Sequence, residues 1–121
     1  MVIKVINNNT RKISVFLPLI FLILVFIQIV VGAFVSGMDA GKIYNSWPLM
    51  GNTYFPNDND FKDLFKLSAF SDPSLVQFMH RNLAYLIMFF YFSIFYKIYK
   101  NKIYDLYKSI NILGIFIILQ P

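Results

Sequence analysis

The sequence contains no cysteine and no glutamate, and it has little charge. Without cysteine there can be no disulfide, thiolate haem ligand, iron–sulfur cluster or cysteine nucleophile. Without glutamate, carboxylate chemistry is left to six acidic residues, all of them aspartate. Charged residues make up 14% of the chain and hydrophobic residues 58%. In a soluble domain about 25% of the residues are charged and roughly 45–50% are apolar. This composition predicts a membrane protein.

The formal net charge of +5 does not indicate a nucleic-acid partner. The basic residues flank apolar runs instead of forming one stripe, as expected for residues that set membrane topology. We therefore predict contact with membrane lipid and no nucleic-acid binding.

Three apolar runs predict an all-α, integral membrane helical bundle. The predicted elements are two full transmembrane helices at 13–36 and 73–96 and a truncated third at 109–121. The first run is too long for the apolar region of a signal peptide, and about 20 apolar residues suffice to cross a bilayer. The third is too short to cross, so we expect the chain to be a fragment or the product of a truncated or split gene.

Lysine and arginine counts predict the orientation. The polar tail 1–12 and the inner loop 97–108 are basic and are expected in the cytoplasm, whereas the acidic loop 37–72 is expected outside. In this outer loop Asp60 can cap a short helix that lies over the bundle as a lid. Asp72 and Pro73 suit the cap and the first position of the second helix.

His80, the only histidine, lies near the outer end of the second apolar run. An ionisable residue at the edge of a membrane span is a candidate functional residue, and imidazole is a common axial ligand of haem iron. Arg81 could pair with a haem propionate. The alternative is an interfacial histidine bonded to a neighbouring helix or to water, and the residues alone leave both interpretations open.

The end of the first helix carries small residues, Gly32 with Ser36 among them, which allow close approach of another helix or of a porphyrin. Gln28 lies one turn earlier and could bond across helices. Asp39 could cap a turn, pair with Arg81 or handle a proton. The sequence has no paired carboxylates, serine triad, phosphate loop or zinc spacing, so no catalytic residue is predicted.

Two motifs in the sequence are recognisable. Residues 32–50 read GAFVSGMDAGKIYNSWPLM, which resembles the GA-x-VAG-x-DAG-x-x-YN-T/S-WPLM stretch of haem A synthases. Residues 76–81 read VQFMHR, similar to the family's VQF-x-HR motif. The sequence around Leu113-Gly114-Ile115 resembles the start of the helix that follows in the family.

The resemblance implies an eight-helix protein made of two pseudo-symmetric four-helix bundles. Residues 13–121 would be part of the C-terminal, haem-binding bundle. They would correspond to the fifth and sixth of the eight helices and to the start of the seventh. His80 would then be one axial ligand of a haem b iron and Arg81 a cofactor-binding residue. The family's second axial histidine, on its eighth helix, is absent from this sequence.

The function implied is that of an oxidoreductase, which oxidises a methyl group of the substrate haem O to the formyl group of haem A for cytochrome oxidase. The remaining half of the synthase would be a partner, in a multi-pass protein of the bacterial inner (cell) membrane. We expect the isolated chain to be inactive. The alternatives are a non-enzymatic b-type membrane cytochrome and a cofactor-free membrane assembly subunit.

Overall fold

The computed structural model describes residues 15–119. The predicted tail 1–12, the first two residues of the predicted first helix and the last two of the predicted third lie outside the described residues. The described part is helical and contains no β-strand, only an isolated bridge between Met50 and Thr53. The predicted all-α class is therefore confirmed.

Three α-helices form: α1 at Phe16–Gly37, α2 at Pro73–Lys100 and α3 at Tyr107–Leu119. The most apolar windows of α1 and α2 have mean hydropathies of 2.9 and 1.3, and 17% and 22% of those windows are buried. The core helix of a soluble protein would be mostly buried. Both helices are long and apolar enough to span a membrane, as predicted.

Local sequence chemistry starts α2 where it was expected. Oδ1 of Asp72 accepts hydrogen bonds from the backbone N–H groups of Ser74, at 2.9 Å, and Leu75, at 3.3 Å. These donors have no partner within the helix, so the aspartate satisfies them. Pro73 occupies the first helical position, where it needs no N–H.

The end of α2 lies beyond the predicted Tyr96, at Lys100. Two reverse hydrogen bonds close the helix, from the N–H of Lys102 to the Tyr99 carbonyl at 3.3 Å and from that of Ile103 to the Ile98 carbonyl at 3.0 Å. Lys102 has φ 53, so the pattern is a Schellman motif with a lysine in the left-handed position. The helix therefore ends at this turn and not where the apolar run stops.

The outer connection contains short 3-10 helices at Ala40–Lys42, Phe61–Phe65 and Leu67–Ser71. Asp60 precedes the second of these as predicted, and its N–H donates to the Asp63 carboxylate at 3.0 Å. The predicted single helix is instead two 3-10 segments, separated by the extended Lys66. Their side chains do not share the single face expected of an α-helix, because a 3-10 helix has about three residues per turn.

The chain divides into two compact units, of which one is Leu24–Leu86 and holds His80 and Arg81. The other unit contains the described residues up to Ile23 and from Ile87 onward. In that unit the Tyr91 hydroxyl donates to the Ile110 carbonyl at 3.0 Å. The Tyr99 and Tyr107 rings stack there at 4.2 Å, so aromatic contacts join α2 to α3.

Candidate functional site

His80 lies on α2, two turns from the cap at Asp72, with its imidazole against α1. Its Nε2 is 3.5 Å from Nε2 of Gln28, and its Cε1 is 3.2 Å from the position that a Cβ on Gly32 would occupy. Gln28 and Gly32 are one turn apart on α1, so the imidazole edge covers one helical turn of α1. A side chain at position 32 would fill this space.

Gln28 makes a second contact with the same residue. Its amide Nε2 donates to the backbone carbonyl of His80 at 3.1 Å. Gln28 is 9% exposed, so this cross-helix bond is largely shielded from water, where a polar contact is stronger than at the surface. Gln28 therefore forms the cross-helix bond that the sequence analysis suggested for it, and its partner is His80.

Three buried side-chain atoms in the described part of the chain have no hydrogen-bond partner: Oε1 of Gln28, Oε1 of Gln77 and Nδ1 of His80. Buried polar atoms are almost always paired, in proteins or with ordered water. All three belong to the Leu24–Leu86 unit. The unpaired atoms therefore mark this region as the candidate binding site.

Arg81 extends from α2 to the backbone of the outer connection. Its Nη1 donates to the Ser46 carbonyl and its Nη2 to the Tyr44 carbonyl, both at 2.8 Å. Gln77, one turn earlier, donates to the same Tyr44 carbonyl at 2.9 Å and to the Gly41 carbonyl at 3.4 Å. The two side chains hold the backbone of residues 41–46 against α2, on either side of His80 in the sequence.

Further side-chain pairs extend this attachment along α2. Trp47 Nε1 donates to the Tyr85 hydroxyl at 2.5 Å, and the Tyr54 hydroxyl bonds to Oδ1 of Asn82. The Ser74 hydroxyl also donates to the Asp58 carboxylate, at 2.7 Å. Four α2 residues that hold the outer connection recur every three or four positions, on one side of the helix, and Asn82 adjoins one of them: Ser74, Gln77, Arg81 and Tyr85. Sequence reasoning singled out only Arg81 from this set, although the 3.6-residue spacing of the polar residues was available as a signal.

The structure does not bring Asp39 to Arg81. Asp39 has φ 51 and precedes the 3-10 turn at Ala40–Lys42, without a side-chain cap bond. Its carboxylate lies 3.5 Å from Nζ of Lys42, and both side chains are exposed. Asp39 therefore sits at a turn, paired with a surface lysine. In the described residues no group of three histidine, cysteine or acidic side chains could hold a metal ion.

The fold and site define a class: a helical membrane protein with one imidazole packed between two apolar helices. A family model described as cytochrome oxidase assembly protein matches residues 5–121. The haem A synthase of Pelagibacter ubique (strain HTCC1062) is 42% identical over 117 residues, which cover 93% of this chain and 34% of the relative. The chain belongs to the haem A synthase family.

Other relatives agree. The haem A synthase of Rickettsia bellii (strain OSU 85-389) is 39% identical over 114 residues, covering 90% of this chain and 33% of the relative. That of Wolbachia sp. subsp. Brugia malayi (strain TRS) is 49% identical over 69 residues, covering 57% and 21%. The chain thus spans about a third or less of the length of these relatives. No solved structure matches it.

Proposed function

We propose that this chain contributes to a haem A synthase, which oxidises the methyl group of haem O to the formyl group of haem A for cytochrome oxidase, and that His80 is an axial ligand of its haem b iron. The observation that carries the proposal is the His80 imidazole, which packs against α1 with its Nδ1 buried and without a hydrogen-bond partner among residues 15–119. A neutral imidazole is a good iron ligand, and a buried nitrogen without a partner is otherwise costly.

The residues around His80 fit a haem. Gly32 has no side chain to press on Cε1 and Nδ1 of the imidazole, the two ring atoms nearest to it. Arg81 follows His80 directly, and its two bonds to loop carbonyls do not use all of its N–H groups. The remaining donors could pair with a propionate carboxylate, for which the guanidinium geometry is well suited.

Each residue would then have a defined task. His80 would supply an imidazole lone pair to the iron, Arg81 would balance a propionate charge, and the attached segment 41–46 would cover the outer end of α2. A bound haem b would supply one-electron redox chemistry, with a potential set by its axial ligands and surroundings. The second axial histidine would come from the remaining part of the synthase.

The proposal includes a membrane orientation. The basic segments on either side of the helix pair, up to Lys12 and from Lys97 to Lys108, would face the cytoplasm, and the connection between α1 and α2 would face outward. The membrane would be the bacterial inner membrane. Partners would be membrane lipid, the substrate haem O and the other half of the synthase.

The test is His80→Ala in a synthase that contains this chain, purified in detergent. The expected result is loss or a clear shift of one low-spin haem spectrum, because an alanine leaves the iron without one axial ligand. Leu86→Ala, at a 42% exposed position on the same helix, is the control and should leave the spectrum intact. An unchanged spectrum in the His80 variant contradicts the assignment.

A further inference from the structure

The connection between α1 and α2 carries the two most exposed large hydrophobic side chains of the Leu24–Leu86 unit. Leu67 is 88% exposed and Phe65 81%. Phe61, on the same 3-10 segment as Phe65, is also exposed, and the centroids of these two rings are 5.9 Å apart. The three side chains form an apolar patch, and exposed apolar patches mark surfaces that contact a membrane or another protein.

The patch belongs to a segment that is held at the ends of both long apolar helices. The 3-10 segment Leu67–Ser71 leads through Asp72 directly into α2. Its Phe70 ring packs on that of Phe34 in the last turn of α1, with centroids 5.6 Å apart. Because α1 and α2 are long and apolar enough to span a membrane, a segment held at the ends of both lies at the level of the lipid headgroups. Aromatic side chains are enriched at that level.

The charged residues beside the patch favour lipid as its partner. Lys62 follows Phe61, and Lys66 stands between Phe65 and Leu67. The cores of protein–protein interfaces are depleted of lysine. At a membrane surface, in contrast, a lysine stem can lie along apolar material while its ammonium group reaches the headgroup phosphates. Large apolar side chains that alternate with lysines therefore fit the surface of a bilayer better than the core of a protein interface.

We propose that residues 61–71 are a lipid anchor, in which Phe65 and Leu67 insert at the boundary between headgroups and acyl chains and Lys62 and Lys66 contact lipid phosphates. A lid over the bundle would instead bury Phe65 and Leu67 against protein. The anchor gives the connection a second attachment besides its bonds to α2. The inference needs only that α1 and α2 span a membrane, so it is independent of the proposed haem chemistry and of the orientation.

The absence of cysteine makes the anchor directly testable, since one introduced cysteine is the only labelling site of the chain. The full chain with Phe65→Cys carries a nitroxide in nanodiscs of phosphatidylcholine and phosphatidylglycerol. Power-saturation electron paramagnetic resonance compares collisions with oxygen, which concentrates in lipid, and with a neutral nickel chelate, which concentrates in water. Oxygen collisions should dominate at position 65, and also at position 67 in Leu67→Cys, the second variant.

Asn52→Cys is the control, at an exposed polar residue in the turn between Met50 and Thr53. Its label should collide mainly with the nickel chelate. Labels at positions 65 and 67 that meet the chelate as often as the label at position 52 overturn the inference.

A second measurement tests the native side chains without a label. The double variant Phe65→Ser, Leu67→Ser removes most of the apolar area of the anchor, so amide hydrogen exchange of residues 61–71 in the same nanodiscs should accelerate by roughly 10-fold. Ser68→Ala, at an exposed polar position of the same segment, should leave the exchange rate unchanged. Unchanged exchange in the double variant contradicts the anchor.

The same nitroxide at position 65 in a synthase that contains this chain, with any other cysteines replaced, distinguishes lipid from protein as the partner. A mobile label that collides with oxygen supports the anchor. An immobilised label that is protected from both oxygen and the nickel chelate shows that another part of the synthase covers the patch, and it overturns the inference. Neither result depends on His80, so the haem assignment and the anchor can fail separately.

Discussion

Gly32 of α1 and His80 of α2 approach so closely that a Cβ at position 32 would lie 3.2 Å from Cε1 and 3.7 Å from Nδ1 of the imidazole. The first of these distances is shorter than an ordinary van der Waals contact between carbon atoms. The absence of a side chain at position 32 therefore has a specific consequence, since it leaves room for the ring of His80. Helix packing alone would not require this space to face His80.

Gly32→Ala tests this relationship. The added methyl group should displace the His80 ring by a few tenths of an ångström and weaken haem binding in the synthase, even though alanine is favoured over glycine in a helix by about 1 kcal/mol. Gly32→Val should abolish binding. The measurement is the low-spin haem absorbance per mole of purified protein.

Gly37→Ala is the matched control, because nothing lies within 4 Å of a Cβ at that position. It should retain the wild-type absorbance. Equal haem content in the Gly32 and Gly37 variants would show that the ring of His80 does not need the gap.

Arg81→Lys tests the attachment of the outer connection. A lysine cannot bond to the Tyr44 and Ser46 carbonyls with the fork geometry of a guanidinium, so about one charge-assisted hydrogen bond is lost. The loss of this bond should cost about 1.4 kcal/mol, so residues 41–46 should detach from α2 about 10-fold more often. Trypsin cleavage at Lys42, followed by mass spectrometry of the full chain in nanodiscs, should accelerate accordingly.

The control for this prediction is Lys100→Arg, which makes the reverse exchange at the far end of α2. It should leave the cleavage rate at Lys42 unchanged. If Arg81→Lys is cleaved no faster than the wild type, the guanidinium does not hold the segment, and its bonds to the two carbonyls contribute nothing to loop order.

Local chemistry made the start of α2 predictable and left its end unpredictable. Asp72 and Pro73 act on their own neighbours, and their preferences can be read in the sequence. The end depends on Lys102 in a left-handed conformation, with Ile98 and Ile103 buried beside it. A lysine does not favour that conformation, so only tertiary packing selects it.

In the candidate site, too, some features could be predicted from the local sequence and others depend on tertiary contacts. The sequence singled out His80 because a lone histidine at the edge of an apolar run is unusual, and Arg81 because it follows. It could not reveal that Gln28, far away in the sequence, bonds to His80, or that Gln77 and Arg81 meet on the Tyr44 carbonyl. Backbone acceptors carry no residue signature, and the pairing of α1 with α2 has to exist before they can be identified.

Lys66→Gln should raise the pKa of the Asp63 carboxyl. The hydrogen bond from Lys66, at 2.9 Å, lowers that pKa from its ordinary 3.8, with help from the N–H of Asp60. The stabilisation is therefore present above the ordinary pKa and is lost as the pH falls through the lowered one. A carboxyl NMR titration of the full chain measures the change directly.

Lys62→Gln is the control for this titration, because Lys62 contributes the smallest of the effects on Asp63. It should move the Asp63 pKa less than Lys66→Gln does. Similar shifts in both variants would mean that general surface charge, and not the specific Lys66 bond, sets the acidity of Asp63. Because the pair is exposed, salt should reduce the electrostatic part of the shift.

Lys102→Gly should stabilise the chain. Lys102 has φ 53 at the end of α2, a conformation that costs an L-residue roughly 1–2 kcal/mol and glycine almost nothing, while glycine adds about 0.5–1 kcal/mol of unfolded-state entropy to lose. The expected net gain is about 0.5–1 kcal/mol in the free energy of unfolding, measured by denaturant titration in detergent micelles.

Lys100→Gly, inside the last turn of α2, should instead destabilise the chain by about 1 kcal/mol. Loss of stability in both variants would show that the Lys102 side chain contributes more than its backbone conformation costs, since the turn itself needs only the left-handed residue and the buried Ile98 and Ile103.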